Sequence, residues 1–299
     1  VTTGQNLEDK RSEAELIAEA VEKAKAADCV ILFGGLNKSD YQDCEGHDRQ
    51  QYELPYAQDK LITALAAANK NFVYVNISGN AVAMPWRNKV PAIVQGWYLG
   101  SEAGEALASV LTGDANPSGK LPFTWVKSLQ NVGAHALNTY PGTWRKEGGS
   151  KTEGNIIDEE YKEGIYVGYR WADREKQRPV FAFGHGLSYT QFAISNLRAD
   201  KASMTAADSI TFTVQVKNIG QRAGSETVQL YVHDAKASVD RPLKELKGFS
   251  KVSLQPGESK DVSITLGKDA LSFYDETTAS WKAEPGQFEA WVGNASDNL

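Results

Sequence analysis

The sequence predicts an α/β fold, a mostly parallel sheet sandwiched by helices, followed by an all-β sandwich. Three observations predict it. The first half alternates short apolar runs with amphipathic helical stretches, the pattern of strand–helix crossover units. The C-terminal region alternates apolar and polar residues with period two, as a β-sandwich of about 100 residues does. The 299 residues are 41% hydrophobic and include 7 Trp, 12 Tyr and 10 Phe, enough to fill two cores.

The elements follow in order. Ser12 to Glu15 forms a capping box that opens a helix with Leu16, Ile17, Ala20, Val21 and Ala24 on one face. The run Cys29–Phe33, closed by Gly34 and Gly35, reads as a strand covered on both faces, with Cys29 a buried small hydrophobe. A polar loop spans 36–53. Pro55 fits the first turn of a second helix, which turns Leu61, Ile62, Leu65 and Ala66 inward. Phe72–Ile77 and Ala92–Trp97 are the next strands, and a helix from about Ser101 to Leu111 follows. Ligands of such sheets gather beyond the carboxyl ends of the strands, which selects residues 36–53, 78–86 and 96–102.

Residues 112–125 are turn chemistry leading into an extended segment. The irregular stretch 127–160 is long enough to be functional or an interface. The sandwich strands center on Ile210–Val216, Val228–Val232, Val262–Leu266 and Phe288–Val292. Asn218-Ile-Gly220, Gln255-Pro-Gly257 and Glu284-Pro-Gly286 mark turns between them.

Charge and composition exclude several classes. A net charge of −6 argues against a nucleic-acid partner, and no apolar run is long enough to span a membrane. The opening Val1-Thr-Thr-Gly-Gln5 has no initiator Met and no basic stretch before an apolar core, so no signal peptide is expected within this sequence, whether one was removed or the sequence begins inside a longer product. Cys29 and Cys44 make neither a disulfide framework nor a zinc site, and no cofactor or metal is expected. Gly96–Gly104 does not have the dinucleotide-loop spacing, and neither a phosphate loop nor a GxSxG elbow occurs.

The densest polar cluster is Asp40–Arg49, in the loop after the first strand. Asp43, Glu45 and Asp48 are close enough to perturb one another, and a carboxyl with a raised pKa serves as a general acid. Arg49 can hold Asp48 ionized or bind a hydroxyl. The same composition also fits a solvated acidic loop. Trp97 and Tyr98 read either as core or as a flat platform for a sugar ring. His185, between two glycines, fits a hydrogen-bonded turn better than a catalytic base.

Several runs resemble glycoside hydrolase family 3. They include Gly35-Leu-Asn-Lys38, Glu45-Gly-His-Asp-Arg49, Ser78-Gly-Asn80 through Trp86, and Gln95-Gly-Trp-Tyr-Leu-Gly100. Gly113-Asp through Pro122, Tyr161–Arg170 and Phe183–Thr190 continue the match. Gly224–Tyr231 and Arg241–Phe249 resemble the family's fibronectin type III-like domain. The resemblance implies an α/β sandwich domain over 1–195 and a fibronectin type III-like domain over 196–299. It implies a retaining β-glycosidase, a β-glucosidase first and a β-xylosidase next. Its acid/base carboxylate falls on Glu45, with Asp43, Asp48, Arg49, Trp97 and Tyr98 at the substrate. The partner nucleophile is expected on an N-terminal TIM-like barrel outside this sequence, as a separate chain or a missing part. The family's substrates imply a periplasmic or secreted location. The alternative is a non-catalytic carbohydrate-binding or interaction module derived from the family.

Overall fold

The computed structural model describes residues 10–39, 41–145 and 156–299. These form two compact units. One runs as far as Ala108 and takes in Val126–Ser128; the other comprises Ser109–Trp125 and Leu129–Leu299.

The first unit is built on three parallel strands, β1 (Val30–Gly35), β2 (Phe72–Ile77) and β3 (Ala92–Gln95), in spatial order β1-β2-β3. Helix α1 (Glu13–Lys25) precedes β1, α2 (Gln58–Ala68) links β1 to β2, and α3 (Ala103–Thr112) follows β3. The expected capping box opens α1. Ser12 Oγ accepts from the Glu15 amide, and a Glu15 oxygen accepts from the Ser12 amide at 2.7 Å. Leu61, Ile62 and Leu65 are buried, as their helical spacing requires.

The β2–β3 connection has no helix. Instead the loop 78–91 tucks Val82 and Trp86 into the core beside Phe72, Tyr74 and Val75. Trp86 meets the Tyr74 ring edge-on at 4.8 Å, and its indole N–H donates to Asp59 Oδ1 at 2.6 Å. Each such large buried side chain contributes about 1.5–3 kcal/mol of transfer free energy.

Four local expectations are corrected. Cys29 is exposed, because it lies one residue before β1 and outside the sheet. Strand β1 is covered on one face only among the described residues. It is an edge strand whose burial alternates, and Ile31 and Phe33 are 46% and 55% exposed. Pro55 lies outside α2, whose N-cap is Ala57. Strand β3 stops at Gln95, two residues early, because Trp97 takes a left-handed backbone with φ 54°.

The second unit contains the predicted sandwich. Strands Phe192–Ala199, Ser209–Asn218 and Ser259–Gly267 form one antiparallel sheet, with Ser209–Asn218 central. Gly224–Asp234 is central in the other, between Glu245–Leu254 and Phe288–Gly293. Val214, Val216 and Val262 of one sheet pack with Val228 and Leu254 of the other. The period-two runs thus supply the core. The stretch 127–160 carries short elements, a helix at Gly133–Ala136 and a strand pair Thr143–Trp144 with Ile157–Asp158. Its residues 146–155 lie outside the described residues.

Candidate functional site

Parallel strands place their carboxyl ends along one edge. Here Gly35 pairs with Ile77, and Asn76 with Gln95, so three loops leave that edge together: 36–57, 78–91 and 96–102. The first loop is tied to its strand by Gln58. That side chain accepts from the Gly35 amide at 2.8 Å and donates to the Gly35 carbonyl at 2.9 Å. The next residue, Leu36, donates its amide to the Ile77 carbonyl at 2.8 Å.

Beneath the second loop runs a buried amide network. Asn76 is fully buried. It donates to Ser78 Oγ at 2.8 Å and to Gln95 Oε1 at 2.7 Å, and accepts from the Tyr74 hydroxyl at 3.2 Å. Ser78 Oγ donates to the Asn80 carbonyl at 2.8 Å, and Gln95 donates to the Ser78 carbonyl at 3.0 Å. Every member is satisfied by another, which fixes the backbone of 78–80.

Onto this rigid segment the cluster 41–49 is attached at two points. The Asp43 carboxylate accepts from the Gly79 amide at 2.8 Å, from Asn80 Nδ2 at 3.2 Å and from the Tyr98 hydroxyl at 3.0 Å. Arg49 Nη2 donates to the Ala81 carbonyl at 2.6 Å. Gly79 is packed closely, since a β-carbon there would lie 3.1 Å from the Tyr98 ring and 3.3 Å from Asp43 Oδ2. Between the two attachments Glu45 is exposed, and its carboxylate has no hydrogen bond or ion pair among the described residues. Asp48 is also exposed. Inside the bend, the Cys44 thiol donates to the His47 carbonyl at 3.4 Å.

The electrostatics follow from this layout. Burial lowers the Arg49 pKa, opposed by the Asp43 charge, yet a guanidinium stays protonated. Its Nη1 is buried and has no hydrogen-bond partner among the described residues. Partial burial, with the Asp43 hydrogen bond and charge, pushes the Tyr98 phenol up. Tyr98 is 40% exposed and Trp97 half-buried, so neither is a core residue. Tyr41, Tyr56 and Trp97 all take positive φ, at 62°, 62° and 54°. Backbone strain of this kind costs about 1–3 kcal/mol per residue and collects at functional sites. Tyr41 also meets His47 at 4.8 Å between ring centers.

The structure therefore brings Asp43, Arg49 and Tyr98 into one network and carries Glu45 and Asp48 on the loop between its anchors. Asp40 lies outside the described residues. His185 is a turn residue. It stacks on Phe181 at 5.0 Å, and its carbonyl accepts from the Leu121 amide. Sequence reasoning marked the loop 78–86 but did not assign Asn76, Ser78, Gly79, Asn80 and Gln95 their supporting work. A run of polar residues at the end of an apolar strand, Asn76 to Asn80, was the available signal.

The chain is similar to known proteins along nearly its whole length. The family model described as "Glycosyl hydrolase family 3 C-terminal domain" matches residues 1–169, and "Fibronectin type III-like domain" matches 226–296. Beta-glucosidase BoGH3A of Bacteroides ovatus is 50% identical over 283 residues, 94% of this chain and 36% of that protein. Thermostable beta-glucosidase B of Acetivibrio thermocellus is 42% identical over 296 residues, 99% of this chain and 37% of that protein. A crystal structure of a beta-glucosidase from Kluyveromyces marxianus in complex with glucose superposes with a TM-score of 0.84 at 39% identity. It covers 97% of this chain and 32% of that one. DesR, a beta-glucosidase from Streptomyces venezuelae in complex with D-glucose, gives 0.85 at 37% identity, covering 96% and 34%. The chain thus spans about a third of the length of the relatives it matches.

Proposed function

This chain belongs to glycoside hydrolase family 3, and from that premise we propose that it is part of a retaining β-glycosidase in which Glu45 is the general acid/base. The observation that carries the reading is Glu45 itself. Among the described residues it stands unpartnered in the Glu-Gly-His-Asp-Arg run, beyond the carboxyl end of a parallel strand, between two anchored flanks. The substrate is a terminal non-reducing β-D-sugar, a glucoside before a xyloside, as the names of the relatives suggest.

In the first step a nucleophilic aspartate, assigned to a TIM-like barrel, attacks the anomeric carbon. Glu45 gives its proton to the departing glycosidic oxygen as that bond breaks. In the second step Glu45, now a carboxylate, takes a proton from the water that displaces the aspartate. The two carboxyls of such a pair stand about 5–5.5 Å apart. Asp48, Arg49, Trp97 and Tyr98 line the sugar in this reading. The orphaned Arg49 Nη1 is a donor ready for a hydroxyl, and the two aromatics offer an apolar face. Domains over 1–195 and 196–299, and a periplasmic or secreted location, complete the proposal.

The test uses the full-length enzyme. Glu45→Gln should lower kcat/KM for glucosides with poor leaving groups by about 10²–10⁴-fold. Activated aryl glucosides, which need no proton, should be cleaved at nearly the parent rate in the first step. Azide should restore turnover of Glu45→Ala and yield a glycosyl azide. Equal losses on both substrate types would sink the assignment. Denaturing intact mass of the active material identifies whether the barrel is on the same polypeptide or another.

A further inference from the structure

Three hydrogen bonds converge on the Asp43 carboxylate, two residues before Glu45. A carboxylate offers about four lone-pair sites. Asp43 spends two on Oδ2, for the Gly79 amide and the Tyr98 hydroxyl, and one on Oδ1, for the Asn80 amide. Those donors come from the loops that follow β2 and β3, while Asp43 comes from the loop that follows β1. One side chain therefore ties together all three loops at the carboxyl edge of the sheet. Two of its donors sit on the segment made rigid by the Asn76–Ser78–Gln95 network.

We propose that Asp43 is a positioning residue, a staple that holds Glu45 in place, rather than a residue that binds the sugar. The proposal rests on the reading of Glu45 as acid/base. Among the described residues Glu45 has no hydrogen-bond or ion-pair partner to fix it, so its location depends on the backbone that carries it. That backbone is pinned on one side by Asp43 and on the other by Arg49 on Ala81. Glu45 Cα is only two residues from the Asp43 anchor, so loss of the anchor lets the carboxyl wander by ångströms. Misplacement of that size is enough to disable proton transfer.

Two measurements on the full-length enzyme test this separately from the acid/base reading. The first is hydrogen–deuterium exchange of Asp43→Ala. The Gly79 amide loses its acceptor, and exchange at Gly79 and across 43–49 should rise about ten- to a hundredfold, the worth of a hydrogen bond to a charged group. Exchange within β1–β3 should stay unchanged. Unaltered exchange across 43–49 overturns the staple, whatever Glu45 does. The second is kinetics. Asp43→Ala should lower kcat/KM for poor leaving groups about ten- to a hundredfold, while kcat/KM for the activated aryl glucoside, which reports the first step alone and needs no proton, changes little. Asp43→Asn, which keeps an acceptor for the Gly79 amide, should recover part of the loss. Asp43→Ala combined with Glu45→Ala should be no slower than Glu45→Ala alone, because both act through one group. A raised KM at unchanged kcat, or losses that multiply in the double variant, overturns the positioning role. Equal loss on both substrate types in Glu45→Ala refutes the acid/base reading instead, and the exchange result still decides the staple.

Discussion

Replacing Gly35 by alanine should unfold the edge of the sheet that carries the candidate site. Gly35 ends β1 with φ 125°, a conformation that residues with a β-carbon rarely adopt. A β-carbon built there lies 2.0 Å from the Ile77 carbonyl oxygen and 2.7 Å from that residue's carbonyl carbon and amide nitrogen. All three are backbone atoms of the paired strand, so no side-chain rotation relieves the overlap. The same oxygen accepts from the Leu36 amide, and the Gln58 clamp holds Gly35 on both backbone groups. The backbone strain costs about 1–3 kcal/mol. Forcing the strands apart costs about 1–3 kcal/mol more. The total, about 2–6 kcal/mol, is a large part of the 5–15 kcal/mol that holds a typical domain. Native-state hydrogen exchange of the β2 amides reads the opening free energy of this sheet directly. Gly46→Ala is the internal control. It lies in the loop that follows β1 with nothing within 4 Å of the added carbon, and it should change stability by no more than about 0.5 kcal/mol. A Gly35→Ala cost below about 1 kcal/mol would refute the reasoning.

Two further outcomes follow from buried charges. Arg241 is almost fully buried, pairs with Asp234 and Glu245, and donates to the Leu271 carbonyl at 3.0 Å, so Arg241→Ala should destabilize the sandwich by about 3–5 kcal/mol in a denaturant melt. A melt within 1 kcal/mol of the parent contradicts it. Asp59 is held beneath Trp86, where burial raises its pKa above the ordinary 3.8 despite the indole hydrogen bond. A carboxyl with a raised folded pKa gives stability that is full below the unfolded pKa and lost as pH rises through the folded value. Asp59→Asn, which keeps the acceptor for the indole, should therefore be at least as stable as the parent at pH 7. Its Tm should also fall less between pH 4 and pH 7, and a larger fall would count against the assignment.

The fold was legible wherever pattern and period coincide. The capping box, the three apolar runs and the alternating sandwich strands all have a signal inside a short window. Two sandwich strands lack one. Phe192–Ala199 contains a bulge between Ser195 and Arg198, with Asn196 at φ 58°, and the bulge breaks its period of two. Glu245–Leu254 pairs across a register shift at Leu230 and Tyr231. Strand β1 read as doubly covered because an apolar run carries no mark of which face lacks a neighbor, and Ile31 and Phe33 were assigned a burial the described residues do not provide. The loop 40–49 was legible as chemistry because acids, a histidine and an arginine crowd into it. Its architecture was not. The partners of Asp43 lie 36, 37 and 55 positions away, and no local window contains them.

That separation has a consequence for how the loop can work. Glu45 is exposed between its anchors, and in the proposed mechanism the same carboxyl meets two partners in turn, the departing glycosidic oxygen and then the incoming water. A carboxyl that serves both steps must keep its distance to the anomeric carbon while the aspartate ester forms and breaks. In the proposed pairing it does so across about 5 Å from the nucleophilic carboxylate. The described residues give Glu45 no hydrogen bond or ion pair that could set this distance, so it rests on the backbone of the loop stapled at Asp43 and Arg49.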